Sequence, residues 1–181
     1  SPGRGLQPNS LYELIGRRAK RNFKPGDFFF SSDLVSSTIY AKPYRFRRRW
    51  GIPVRFHDFK MLIAYSNPDF LEFHLSYKDL DLDIRHFFDR EYNLGLVVHS
   101  PDLFAGDHLL NLAASEEGYR RRSIGQLQRV VDITRELKSY FKRADKPLIV
   151  TSLGGVSKDS FCNSKERIEM YSHVADSIAQ I

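Results

Sequence analysis

The chain has 181 residues, 41% of them hydrophobic and 13% aromatic, with 28 Lys and Arg against 22 Asp and Glu and a net charge of +6. This composition is that of a globular and not a disordered chain and is enough to build a core, and the single Cys162 excludes a disulfide-stapled scaffold and argues against a thiolate zinc site. No apolar run nears the ~18 residues of a membrane span, so a soluble, cytoplasmic protein is expected; the mildly basic balance permits a phosphate- or carboxylate-bearing partner without requiring nucleic acid.

The chain opens Ser1-Pro2-Gly3-Arg4-Gly5, without an initiator Met or a hydrophobic signal region, which reads as a cut or processed end. Residues 1–34 are short, punctuated elements. Leu11 to Gly16 predicts a helical turn closed by Gly16, and Lys24-Pro25-Gly26-Asp27 predicts a tight turn. Phe28-Phe29-Phe30 is expected to be a short strand, followed by Ser31-Ser32-Asp33-Leu34. Residues 35–51 form a basic linker, with Ser36-Ser37-Thr38, Pro43, and Arg45, Arg47, Arg48 and Arg49 among Tyr44, Phe46 and Trp50. Such a mixture suits single-stranded nucleic acid. One short run offers few phosphate contacts, so a solvated linker is the reading taken, with nucleic acid not expected as a partner.

Residues 52–181 alternate strand and helix patterns. Strands are expected at Ile52 to His57, Phe70 to Leu75, Leu94 to His99 and Pro147 to Thr151. The third, apolar on both faces, suits a parallel sheet covered on both sides. Short helices are expected at Phe59 to Tyr65 and Ile84 to Arg90. A long one should run from Ser123, paired with Gln126 as a capping box, to about Phe141. A last helix from Ser164 should bury Ile168, Tyr171, Val174, Ala175 and Ile178. The fold class is therefore α/β, with four parallel βα units in about half the ~250 residues of an eight-fold barrel.

Ligand sites in parallel α/β folds lie at the carboxyl ends of the strands. Three successive strands finish on a histidine: His57, His74 and His99. Neutral imidazoles on rigid strands suit a divalent ion, with Asp58, Glu72 and Asp102 as nearby carboxylates; the plain alternative is three hydrogen-bonded rim histidines. His99 is the expected metal ligand, with His74 its companion, and His57, His74, Lys78 and Asp102 are the expected substrate contacts. Arg120, Arg121 and Arg122, ahead of the helix expected at Ser123, are candidate anion ligands, against a solvated basic turn. Gly154-Gly155 would permit close backbone approach to a phosphate or sugar. Asp107 and His108 read as turn residues and Cys162 as a spectator. P-loop, GxGxxG, GxSxG and HExxH patterns are absent.

Two stretches carry resemblances. Pro2-Gly3-Arg4-Gly5-Leu6, Ile15-Gly16-Arg17, Gly26-Asp27 and Ser32-Asp33-Leu34 resemble the latter half of the antifreeze-like (SAF, β-clip-like) module of sialic acid synthases. That resemblance implies a cap over the active site of a partner subunit's barrel, which condenses phosphoenolpyruvate with an N-acetylhexosamine. The condensing barrel is expected outside this chain. Leu96-Val97-Val98-His99-Ser100-Pro101, Asn111-Leu112-Ala113 and Arg122-Ser123-Ile124 resemble the first half of a xylose-isomerase-like barrel. This implies a (βα)4 segment in which His99 takes a metal-ligand position. Where that family often has a second histidine, this chain reads Thr151-Ser152-Leu153-Gly154-Gly155.

The leading expectation is a piece of a nonulosonic (sialic) acid synthase-type enzyme acting on amino sugars. A metal-dependent sugar-phosphate isomerase or epimerase using Mn, Mg, Co or Zn is the alternative, and a non-catalytic sugar-binding or assembly module the third. Expected partners are an amino-sugar or sugar-phosphate substrate and either the rest of a longer polypeptide or a second copy. No membrane is expected.

Overall fold

The computed structural model describes residues 5–34, 45–154 and 161–181. The expectations placed on Ser1 to Arg4, on Ser36 to Tyr44 and on Gly155 lie outside the described residues. The chain forms two compact units, residues 1–41 and 42–181. Among the described residues no helix is long and apolar enough to cross a membrane.

In the first unit a 3-10 turn, Pro8–Ser10, runs into the short helix α1, Leu11–Leu14. Gly16 follows at φ +77°, and Gly26, at φ +91°, sits in the turn in which Asp27 N–H donates to Lys24 O at 3.0 Å. A polar hub centres on Arg21. Arg21 donates to Asp33 at 2.9 Å, to Asp27 at 3.1 Å and to Phe28 O at 3.2 Å, and its guanidinium lies 4.0 Å over the Phe23 ring. Both carboxyls are held below the usual carboxylate range, Asp33 chiefly by Arg21, Asp27 by Lys24 N–H and then Arg21. The strand expected at Phe28 to Phe30 does not form. Arg21 takes Phe28 O and Asp33 takes Phe30 N–H, so side chains occupy backbone groups that a ladder would need, and the three rings stay partly exposed.

The second unit is built on a parallel sheet of order β1-β2-β3-β6: β1 Gly51–Val54, β2 Phe70–His74, β3 Gly95–His99 and β6 Leu148–Val150. Leu71 pairs with Leu96 and Val98 with Ile149, all parallel, as the βα alternation predicts. Helix α2, Phe59–Tyr65, links β1 to β2. A small antiparallel hairpin, β4 Leu103–Phe104 and β5 His108–Leu109, follows β3. Helices α3, Glu117–Lys138, and α4, Ser164–Ile178, flank β6 in sequence.

The two faces of the sheet differ. Side chains alternate across a strand. Val54, Leu71, Phe73, Leu96 and Val98 are fully buried on one face. They share a core with Phe59 of α2, with Leu127, Val130, Ile133 and Leu137 of α3, and with Phe56, Phe88, Tyr92 and Phe141. The rings interlock: Phe59 stacks on Phe88 at 4.9 Å and meets Phe73 edge-on at 5.6 Å. The other face carries Phe70, Glu72, His74, Val97 and His99, all only half-buried, and Leu148 and Val150 are 66% and 43% exposed. The expectation that β3 is covered on both faces is therefore corrected: Leu96 and Val98 are buried and Val97 is not. On the open face Phe70 lies between Gly51 and Gly95. A Cβ at Gly51 would fall 2.2 Å from the Phe70 ring, and one at Gly95 would fall 3.0 Å from Phe70 Cβ.

Three further expectations change. The helix expected at Ile84 to Arg90 is one 3-10 turn, Ile84–His86, because Asp83 binds both the backbone and the guanidinium of Arg85 and closes a single turn. The long helix starts at Glu117 rather than at Ser123. Glu116 accepts from Gly118 and Tyr119 N–H at 2.7 and 2.6 Å, while Tyr119 and Arg120 anchor the first turns by donating to Leu109 O and Ala114 O. In α4 the inward face is Met170, His173, Val174 and Ser177, and Ile168, Tyr171, Ala175 and Ile178 point outward. Ser177 Oγ donates to Leu112 O at 2.9 Å, and this polar anchor rotates the apolar stripe away from the core.

Two outcomes are expected from this packing. Phe73→Ala should lower stability by about 3–5 kcal/mol in a urea titration, since it empties the centre of the ring cluster. The two sheet edges differ as well. β1 carries Pro53, which blunts it, whereas β6 is Leu-Ile-Val with exposed apolar side chains. Sedimentation velocity should show self-association of the chain, and Val150→Lys should reduce it; a wild-type monomer at all concentrations would contradict this.

Candidate metal centre

The parallel register sets the site. Pairing of β2 with β3 places His74 directly beside His99, and Leu75 N–H donates to His99 O at 3.0 Å to fix the strand ends. Glu72, two residues before His74, shares its face one layer deeper. Beyond β3, Ser100 N–H donates to Val150 O at 2.8 Å and Pro101 ends the strand, so the His99 backbone is held on both sides.

Glu72 Oε1 lies 2.9 Å from His74 Nε2 and 3.1 Å from His99 Nδ1, and the two rings are 4.4 Å apart. An ionised carboxylate only accepts, so both imidazoles donate to the same oxygen. The three groups are about one-third exposed. They form the cluster of metal-ligating type among the described residues, with ligand atoms within 4.8 Å of one another. Two imidazoles and one carboxylate, without sulfur, suit Zn²⁺, Co²⁺, Mn²⁺ or Fe²⁺. Metal bonds of ~2.0–2.1 Å in a tetrahedron give ligand separations of about 3.3 Å. The two short spacings would widen by only a few tenths of an ångström, with each nitrogen turning its lone pair to the ion in place of its hydrogen. The donor types suit a divalent ion, which would also draw together the two ring nitrogens, now within 4.8 Å of each other, and three protein ligands leave a position open for substrate or water. Val150, opposite His99 on β6, adds no ligand.

The remaining expected site residues are dispersed. β1 ends at Val54, and Asp58 accepts from Arg55 N–H at 2.7 Å to turn the chain into α2. His57 thus falls three residues past the strand, 78% exposed and 4.0 Å from Asp58, and does not align with His74 and His99. Lys78 is exposed in the 3-10 turn Tyr77–Asp81, and Asp102 is exposed, its carbonyl accepting from Leu110 N–H at the base of the hairpin. Arg120, Arg121 and Arg122 lie inside α3 rather than ahead of it. Arg120 binds Ala114 O, Arg121 pairs with Glu117 and Arg122 donates to Ala105 O at 2.6 Å. The helix N-terminus is already filled by the Glu116 carboxylate, so these residues are not gathered on one anion. The space beside Gly154 is taken by Asn111, whose Oδ1 would lie 2.3 Å from a Cβ there.

Glu72 is the ligand that strand-end reading undervalues, because it stands inside the strand and not at its tip. The signal for it is the i, i+2 spacing Glu72-x-His74.

Titration of the metal-free chain with Zn²⁺ or Co²⁺ should show one ion bound per chain. His99→Ala should weaken it by more than the roughly 10–100-fold that loss of an outer-shell partner costs, with the thermal midpoint of the metal-free protein little changed. Unchanged affinity with a lowered midpoint would make His99 a rim hydrogen-bonding residue instead.

Comparison with known proteins returns no similar family model, no similar curated protein and no similar solved structure.

Proposed function

We propose that the second unit is a half-barrel-like (βα)4 segment whose Glu72, His74 and His99 hold a divalent ion for isomerisation or epimerisation of a sugar or sugar phosphate. The observation that carries this reading is the preformed carboxylate and imidazole pair on the open face, at the carboxyl ends of adjacent parallel strands. Four adjacent parallel strands, in the order β1-β2-β3-β6, with helices packed on one face also support it. A bound divalent ion would polarise a carbonyl and acidify a neighbouring hydroxyl. The chain's own residues would do the rest. His74, His99 and Glu72 would hold and orient the ion from two paired strands. His57, Lys78 and Asp102, exposed on segments leaving β1, β2 and β3, are proposed as outer contacts to sugar hydroxyls or a phosphate.

The first unit belongs to the same proposal as an SAF-type module, supported by its Ile15-Gly16-Arg17, Gly26-Asp27 and Ser32-Asp33-Leu34 pattern and its short turn-rich path. Together the two units suit a nonulosonic acid synthase-type protein acting on amino sugars, with the condensation itself performed outside this chain.

The test is proton exchange. The chain, supplied with Mn²⁺, Co²⁺ or Zn²⁺, is incubated in D₂O with hexose phosphates and N-acetylhexosamines and followed by ¹H NMR. Metal-dependent deuteration next to the carbonyl, lost in Glu72→Gln and His99→Ala, is the expected outcome. Metal binding without exchange on any sugar would replace this reading with a sugar-binding or assembly module, which Val150 in place of a β6 ligand favours.

A further inference from the structure

A second polar cluster lies away from the metal site, between the hairpin and α3. His108 of β5 is 2% exposed, and its Nε2 lies 2.9 Å from Ser123 Oγ, which is fully buried in α3. The same Ser123 Oγ accepts Asn111 N–H at 3.1 Å. The segment this anchors is a crossing point. Leu112 N–H donates to Leu153 O at 3.0 Å beyond β6, Leu112 O accepts from Ser177 of α4, and His173 of α4 lies 3.3 Å from Ala113 O. One buried imidazole thus joins β5 to α3 and steadies the run that meets the loop after β6 and helix α4.

We propose that His108 is a pH-sensitive pin: protonation of its ring disrupts the seam with Ser123 between β5 and α3 and loosens residues 110–113, while Tyr119 on Leu109 O and Arg122 on Ala105 O still tether the hairpin. The geometry makes the neutral ring the one that fits. His108 Nδ1 is buried without a hydrogen-bond partner among the described residues. An imidazolium would carry an unsatisfied charged N–H there. The groups facing the ring from α3 are Tyr119, whose ring is tilted 40° to it with centroids 4.3 Å apart, and the Arg122 guanidinium, which reaches across to Ala105 O. From the hairpin itself the neighbouring Asp107 is exposed, and Asn111 contributes a neutral backbone N–H. Burial first, and Arg122 second, push the His108 pKa down.

The sign follows from that direction. The unfolded or opened segment binds a proton near the ordinary histidine value of about 6.5, and the closed one resists it. The pinned state is therefore fully favoured above about pH 6.5. It loses up to about tenfold in its closing equilibrium for each pH unit below that.

Amide hydrogen exchange of the full chain at pH 7.5 and 5.0, corrected for intrinsic rates, tests the pin. Leu110, Asn111 and Leu112 should open up to about thirtyfold more at pH 5.0, while Leu71 and Val98 in the sheet stay protected. His108→Gln, which retains a nitrogen donor near the Nε2 position but does not titrate, should abolish that pH dependence. An NMR titration of the wild-type His108 ring serves even where the variant fails to fold. A midpoint below the ordinary value, coincident with loss of protection at 110–112, supports the pin. A midpoint at or above the ordinary value, or the same pH dependence in His108→Gln, overturns it.

Discussion

The parallel pairing of β2 with β3 is the constraint from which the rest follows. It sets Phe73 beside Val98 on one face and His74 beside His99 on the other in a single register. A slip by one residue would send the apolar set to the open face and the histidines into the aromatic core. Burial of Leu71, Phe73, Leu96 and Val98 therefore specifies the position of the polar cluster as firmly as it specifies the fold. Packing on the helical side and chemistry on the other side are one choice.

Much of this unit was legible in the chain. Phe59–Tyr65 appears with the bounds its pattern predicts, and all four strands appear within a few residues, because long-range parallel pairing and strong apolar patterning agree there. His74 and His99 were legible as strand-end residues. His57 was misleading because its strand stops at Val54, where Asp58 caps a turn that periodicity does not reveal. Glu72 needed the register, which supplies the distance between two strands that sequence alone leaves open. The errors in α3 and α4 share a cause. In both, polar anchors override local pattern: Glu116 and Tyr119 extend α3 backward through Gly118, and Ser177 turns α4 so that Tyr171 and Ile178 face outward.

The first unit shows the same principle at a smaller scale. A module of this size buries little apolar surface. Its contacts include one guanidinium reaching two carboxylates, a carbonyl and an aromatic ring, beside the Phe23–Phe29 ring pair and the Ala19–Leu34 bridge. The Phe28 to Phe30 run has the composition of a strand, but Arg21 and Asp33 claim its backbone between them.

The Gly51, Phe70 and Gly95 row has a consequence for how this sheet tolerates change. The two glycines and the ring are one volume shared among three strands. At Gly51 the obstacle is the ring itself, which a smaller residue at 70 would remove. At Gly95 it is Phe70 Cβ, which every residue except glycine retains. Sequence drift in this row is thus coupled: a side chain at position 51 meets the ring at 70 head-on, so the ring has to move or shrink first, while one at position 95 needs Phe70 Cβ to give by only a few tenths of an ångström. Among relatives of this chain, positions 51 and 70 would vary together.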